Sequence, residues 1–173
     1  MNLLTDPNVN NIDLRVAVAY TLGSIAKGSP NHMKVLLSCD IIGVLLTVVV
    51  SSREPRYVEA CLCCLRTLFN HPEAPVEVLY ADHSIIPHLL VLMPLSTSNQ
   101  ISVASILMNS CKVHEHQTAL ASQGAVNALH LLLLSPLPDV QLPGTNILYT
   151  MYVRERFQNR FFKCMIQMIF EVF

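Results

Sequence analysis

Hydrophobic residues recur along this chain at helical spacing, and the helical spacing itself recurs. Val18-x-x-x-Leu22-x-x-Ile25, Cys61-x-x-x-Leu65-x-x-Leu68, Val103-x-x-x-Leu107-x-x-Ser110 and Gly144-x-x-x-Leu148-x-x-Met151 share one frame. Its leucines, Leu22, Leu65, Leu107 and Leu148, stand 43, 42 and 41 residues apart. A second set, Leu45, Leu89 and Leu129, keeps pace at intervals of 44 and 40. Residues three, four and seven apart share a face of an α-helix, so each frame predicts one apolar stripe. Strict alternation, the mark of a half-buried strand, is absent beyond short stretches. A short unit with one greasy stripe per helix cannot bury that stripe alone. It stacks on its neighbours as a solenoid.

Each unit reads as three helices. In the unit over 29–70, Ser29-Pro30 supplies a capping hydroxyl and a proline in the first turn, where its missing N–H costs nothing. A short helix follows with Met33, Leu36 and Leu37 on one side. Asp40 is placed to cap a second helix, whose Ile42, Leu45, Leu46 and Val49 make one stripe. Ser51-Ser52 and Pro55 interrupt the chain, and a third helix is predicted from Arg56 to Phe69. The unit over 71–113 repeats this order. Pro75 opens a short helix with Val76, Leu79 and Tyr80, Ser84 caps the stripe Ile86, Leu89, Leu90 and Met93, and a third helix holds Val103, Ile106 and Leu107. The unit over 114–151 has Leu120 and Ala121, a turn at Gly124, then Val126, Leu129 and Leu133. Its last helix carries Gly144, Ile147, Leu148 and Met151; Pro143 there predicts a late start or a kink. Residues 1–28 form a partial unit whose clear helix, Ile12 to Lys27, is closed by Gly28. Beyond 151 the repeat stops. Over 152–173 basic residues interleave with phenylalanines and isoleucines, a pattern compatible with an amphipathic helix.

Composition agrees with stacked units. Of 173 residues, 52% are hydrophobic and 13% charged, the balance expected of repeats buried against both neighbours. A net charge of -1 supplies no footprint for nucleic acid, and the longest apolar runs are too short to span a membrane. No basic leader and no Asn-x-Ser/Thr acceptor is seen, so an intracellular protein is expected. Six cysteines, at 39, 61, 63, 64, 111 and 164, follow neither metal-ligand nor disulfide-framework spacing. They read as buried reduced thiols packing as small apolar groups. Because solenoids need polar terminal faces, self-association of the chain made alone is expected.

No catalytic, metal or cofactor site is predicted. Cys111 precedes His114 and His116, but no spaced acidic partner orients either imidazole, apart from Glu115 between them. The five glycines are scattered rather than gathered into a phosphate-cradling loop. The remaining histidines read as surface or packing residues. Binding is the stronger expectation. The position two after each recurring leucine is polar: Ser24, Thr67, Asn109 and Thr150. Stacking turns these into a ladder, with Lys27, Arg66, Asn70 and Lys112 beside it. Such a ladder either grips the backbone of an extended peptide or simply caps and packs the inner face. The absence of Trp, a common hot-spot anchor, weakens the grip.

Ser84-Ile85-Ile86-Pro87-His88-Leu89 and Gly124-Ala125-Val126-Asn127-Ala128-Leu129 resemble the second-helix start of armadillo repeats, and Val103-Ala104-Ser105-Ile106-Leu107-Met108-Asn109 resembles their third helix. The resemblance implies an all-α, right-handed solenoid of the armadillo or HEAT type, with about three repeats and a partial N-terminal one. Over roughly residues 14–134 the likeness is closer to one branch of armadillo scaffolds. It is carried by Leu22-Gly23-Ser24-Ile25-Ala26, by the cysteine-rich run Glu59 to Phe69, and by His116-Gln117-Thr118 with Gly124-Ala125-Val126. That branch implies a non-catalytic subunit of the CTLH or GID ubiquitin ligase complex. It implies other ligase subunits as partners, a role in protein degradation, and residence in cytoplasm and nucleus. An import-receptor-like adaptor is the other function the fold implies. Asparagine occupies the ladder only at Asn109, a departure from the armadillo pattern.

Overall fold

The computed structural model describes residues 2–6, 11–125, 128 and 132–154, and every regular element among them is helical. A short α1, Asn2–Thr5, precedes α2, Ile12–Gly28. The first full unit is α3, Pro30–Ser38, α4, Ile41–Ser51, and α5, Pro55–Phe69. The second is α6, Val78–Ala81, α7, Ile85–Leu92, a 3₁₀ turn Met93–Leu95, and α8, Thr97–Ser110. The third begins with α9, His114–Ser122, and ends with α10, Pro138–Arg154, with helical residues at 125, 128, 132 and 133 between them.

Two rows organise these elements. Third helices stack in order, α2 on α5, α5 on α8 and α8 on α10. Second helices form the other row, α4 beside α7, each packed on the third helix of its own unit. The predicted stripes point between the rows. Leu45, Leu65, Leu68, Leu89, Ile106 and Leu107 are buried, as are Cys61 and Cys64. Each fully buried leucine contributes about 1.5–3 kcal/mol over an exposed one, so the stripes outweigh any single cap. Leu22 is half-buried, on the helix that among the described residues has a third-helix neighbour on one side only; Leu129, Val126 and the side chains of Leu148 and Met151 lie outside the described residues.

Ser29 caps α3, accepting from the His32 N–H at 3.2 Å. Gly124 turns the chain at φ +84, where a side chain is strained. Gly28 does not close α2 as a left-handed cap. It is the last helical residue, and extended Ser29 both ends α2 and starts α3. Asp40 precedes α4 in the left-handed region (φ 52) and makes no side-chain cap bond. Its carboxylate lies over Gly43, where a Cβ would stand 2.7 Å from an oxygen. Ser84 makes no side-chain cap either; its N–H donates to Asp82 Oδ1 at 2.8 Å. Pro75 stands three residues ahead of α6 rather than opening it.

Pro143 neither delays α10 nor ends it. The helix begins at Pro138, its first carbonyl acceptor, Leu137, takes the N–H groups of Val140 and Gln141, and it continues through Pro143 to Arg154, past the boundary expected at 151. Pro143 lies close behind the first turn, so the helix loses one bond there and keeps its packing on α8. The tail from 155 on lies outside the described residues.

Two helical glycines face different neighbours. A Cβ on Gly144 would stand 2.8 Å from Leu132 Cβ, whereas one on Gly23 would meet Cys64 Cα at an ordinary 3.5 Å. Gly144→Ala is expected to cost about 1–3 kcal/mol in urea unfolding through overpacking, while Gly23→Ala gains up to about 1 kcal/mol of helix propensity. Equal effects at the two sites would contradict this packing.

Candidate protein-docking face

The polar ladder lies where the third helices place it, but its donors are already engaged. Ser24 Oγ donates to the Tyr20 carbonyl at 3.0 Å, and Thr67 Oγ1 donates to the Cys63 carbonyl at 3.2 Å. Hydroxyls on helices commonly turn back to the carbonyl four residues earlier, which leaves them acceptors only. Asn109 Nδ2 donates to the Ser105 carbonyl at 3.0 Å and to Asn70 Oδ1 at 2.6 Å, tying α8 to the end of α5. The Thr150 side chain lies outside the described residues.

Four of the predicted residues meet in one cleft. Lys27, Arg66, Thr67 and Asn70 line an open concavity of ≈ 520 Å³ with His71, Ser105 and Asp139. Ser24, Asn109 and Lys112 are not part of its lining. The ion pairs among the described residues, Lys34–Glu73 at 3.6 Å and Arg56–Asp13 at 3.0 Å, lie elsewhere on exposed surface. Exposed pairs of this kind contribute about 0–1 kcal/mol and do not organise the face. The cationic side chains of Lys27 and Arg66 therefore present charge to the cleft without a carboxylate within ion-pair distance among the described residues.

A set of polar contacts between units escaped the sequence reading. Tyr57 Oη donates to the Leu4 carbonyl at 2.7 Å, and Ser96 Oγ donates to Glu59 Oε2 at 2.9 Å. His88 Nε2 meets the Val49 carbonyl at 3.1 Å; since a carbonyl only accepts, that nitrogen carries the proton. His116 stacks on Tyr80 with ring centres 4.1 Å apart, and both side chains donate to the Ser110 carbonyl at 3.1 Å. Except at Ser96–Glu59, the faint signal for these contacts is a histidine or tyrosine on the apolar face of a helix, where a polar tip needs a partner.

The same contacts dispose of a nucleophile at Cys111. That residue is 2% exposed, His116 spends Nδ1 on a carbonyl, and His114 is exposed. Cys61 and Cys64 are free thiols whose burial pushes their pKa up to about 12. Cys39 departs from the expectation of buried thiols, because it ends the short α3 at the surface; Cys164 lies outside the described residues.

Burial also pushes the Tyr57 phenol up to about 12. The folded chain keeps these protons longer than the unfolded chain, whose thiols and phenols ionise from their ordinary values of 9.0 and 10.0. Stability from these groups is thus complete below pH 9.0 and is lost as pH rises toward about 12. Thermal melts between about pH 7 and 11 should show a constant midpoint up to the thiol range and a steep fall above it. A midpoint unchanged to the alkaline end would contradict the burial of these groups.

No family model matches the chain. Armadillo repeat-containing protein 8 of Mus musculus is 40% identical over 139 residues, covering 80% of this chain and 20% of its own length. The Xenopus laevis protein of the same name is 42% identical over 130 residues, 75% of this chain and 18% of its own. The chain thus spans about a fifth of the length of the curated relatives it matches. Among solved structures, a computationally designed armadillo repeat protein for modular peptide recognition superposes with TM-score 0.77 over 96% of this chain and 68% of its own, at 14% identity. A designed armadillo repeat protein in complex with the peptide (KR)4 superposes with TM-score 0.69 over 87% of this chain and 62% of its own, at 16% identity. Helix triplets, a continuous row of third helices and this sequence kinship converge: the chain belongs to the armadillo-repeat family.

Proposed function

We propose that this chain is a non-catalytic docking module that holds other protein subunits of a CTLH or GID-type ubiquitin ligase, and through it serves ubiquitin-dependent protein degradation in the cytoplasm and nucleus. The observation that carries this reading is the 40% identity to armadillo repeat-containing protein 8 along 80% of the chain. The geometry is compatible with it. A row of stacked helices offers a broad, preformed surface, and such surfaces dock folded partners with little ordering cost. An import-receptor-like grip on an extended peptide would draw on side-chain donors along the ladder. Here Ser24 and Thr67 donate into their own helices and Asn109 donates to Asn70 and Ser105, which disfavours that alternative. Nucleic acid and membrane are not proposed as partners.

Epitope-tagged chain expressed in cells and purified under mild conditions should recover ligase subunits, and imaging should find it in both compartments. Asn109→Ala with Lys112→Glu should leave that recovery unchanged. Tagged chain that recovers no ligase subunit, where a longer relative prepared in parallel does, would refute the assembly role. Recovery abolished by the double substitution would favour the peptide grip.

A further inference from the structure

The cleft beside the polar ladder holds more hydrogen-bond donors than its own acceptors use. Its walls include the last turns of α2 and α5, the middle of α8 and the first turns of α10, all of them described residues. Lys27 and Arg66 lie in the last turns of α2 and α5, where a cation ordinarily complements the carbonyl end of its helix. Neither side chain donates to a carbonyl or pairs with a carboxylate among the described residues. Asn70 is oriented by its neighbour. The Ser105 carbonyl only accepts, so Asn109 faces it with Nδ2 and gives its second N–H to Asn70 Oδ1. The Asn70 amide nitrogen is thereby left as a donor at the cleft. His71 takes the Glu73 backbone N–H on Nδ1 at 3.2 Å, so its proton sits on Nε2 and adds another donor. Asp139 is the one carboxylate among the described lining residues, and Glu73 pairs with Lys34 instead.

We propose that this cleft receives a single acidic side chain, glutamate or aspartate, from the folded protein partner that docks on the helix row; the assignment rests on the docking reading above and adds the chemistry of its contact. Two cationic side chains, Lys27 and Arg66, against the one carboxylate of Asp139 leave a net charge of +1. One carboxylate from the partner neutralises it, whereas a dianionic phosphate overshoots. Half-buried Arg66 offers a planar fork of N–H groups that matches a carboxylate edge, and it has less freedom to lose than an exposed chain. Met33 and Ile101 give the same cleft an apolar wall for the methylenes beneath the charge. A basic side chain would meet Asp139 alone and be repelled by two cations.

Solution NMR of the full chain, following the Asn70 side-chain amide and the His71 ring, tests this with three probes: N-acetyl-glutamate amide, its uncharged glutamine counterpart and N-acetyl-phosphoserine amide. The glutamate probe should shift both signals saturably, and the glutamine probe should not. Arg66→Gln and Lys27→Gln should each weaken the glutamate probe by about tenfold, the effect of one charge-assisted hydrogen bond. Asp139→Asn should tighten it, a gain that misfolding cannot produce. Glutamate and glutamine probes that bind alike overturn the proposal. So does a phosphoserine probe that binds more than about tenfold tighter than glutamate, which assigns the cleft to a phosphorylated partner. In cells, tagged chain carrying Arg66→Glu should lose the ligase subunits that the wild type recovers. Retention by the variant overturns the acidic contact and leaves the ligase reading standing. Recovery by neither refutes the ligase reading, and the probe titration then decides the cleft by itself.

Discussion

Packing of one third helix against the next is the interaction on which the rest of this molecule depends. α5 and α8 are each held on two sides by other third helices and on a further side by the second helix of their own unit. Their apolar positions are mostly buried, with Cys63, Ile101 and Met108 half-buried, and the second helices close over them rather than forming a separate core. Stability in such a stack is approximately a sum of units and of the contacts between neighbours. The middle of the row is therefore its firmest part, and α2, with an exposed outer side, is less supported.

Hydrogen bonds between units have a different task. Apolar burial is nondirectional and tolerates sliding, whereas a carbonyl that must be reached by one side chain does not. His88 on Val49, Ser96 on Glu59 and Asn109 on Asn70 each join residues about one repeat apart, and Tyr80 with His116 pins the third unit to the end of the second. Of the polar ladder, Asn109 acts as such a register mark, whereas Ser24 and Thr67 spend their donors on carbonyls of their own helices. With these donors consumed, the same face reads as a surface for docking folded partners better than as a clamp for a peptide backbone.

The helix triplets, their stripes and the solenoid class were legible because they depend on burial, and burial leaves a periodic trace. Ile42, Leu45, Leu46 and Val49 form one example and Cys61, Cys64, Leu65 and Leu68 another. Features decided by competition between two local hydrogen bonds were not legible. Asp40 and Ser84 have the right identities for caps, yet one adopts a left-handed backbone and the other gives its N–H to Asp82. Ser24 and Thr67 have the right identities for a donor ladder, yet both donate to carbonyls of their own helices. Gly144 shows the reverse case: its need for a missing Cβ comes from Leu132, a residue of another helix that no local pattern points to. The cleft at Lys27, Arg66, Thr67 and Asn70 was legible as neighbouring columns but not as a concavity, since its walls include Asp139 from the far end of the chain.

Native-state hydrogen exchange tests the primacy of the third-helix row most directly. Amides in α5 and α8 should exchange slowest and share one opening free energy, with those of α2 faster. Slowest exchange in α3 or α9, or equal protection along the whole chain, would contradict it.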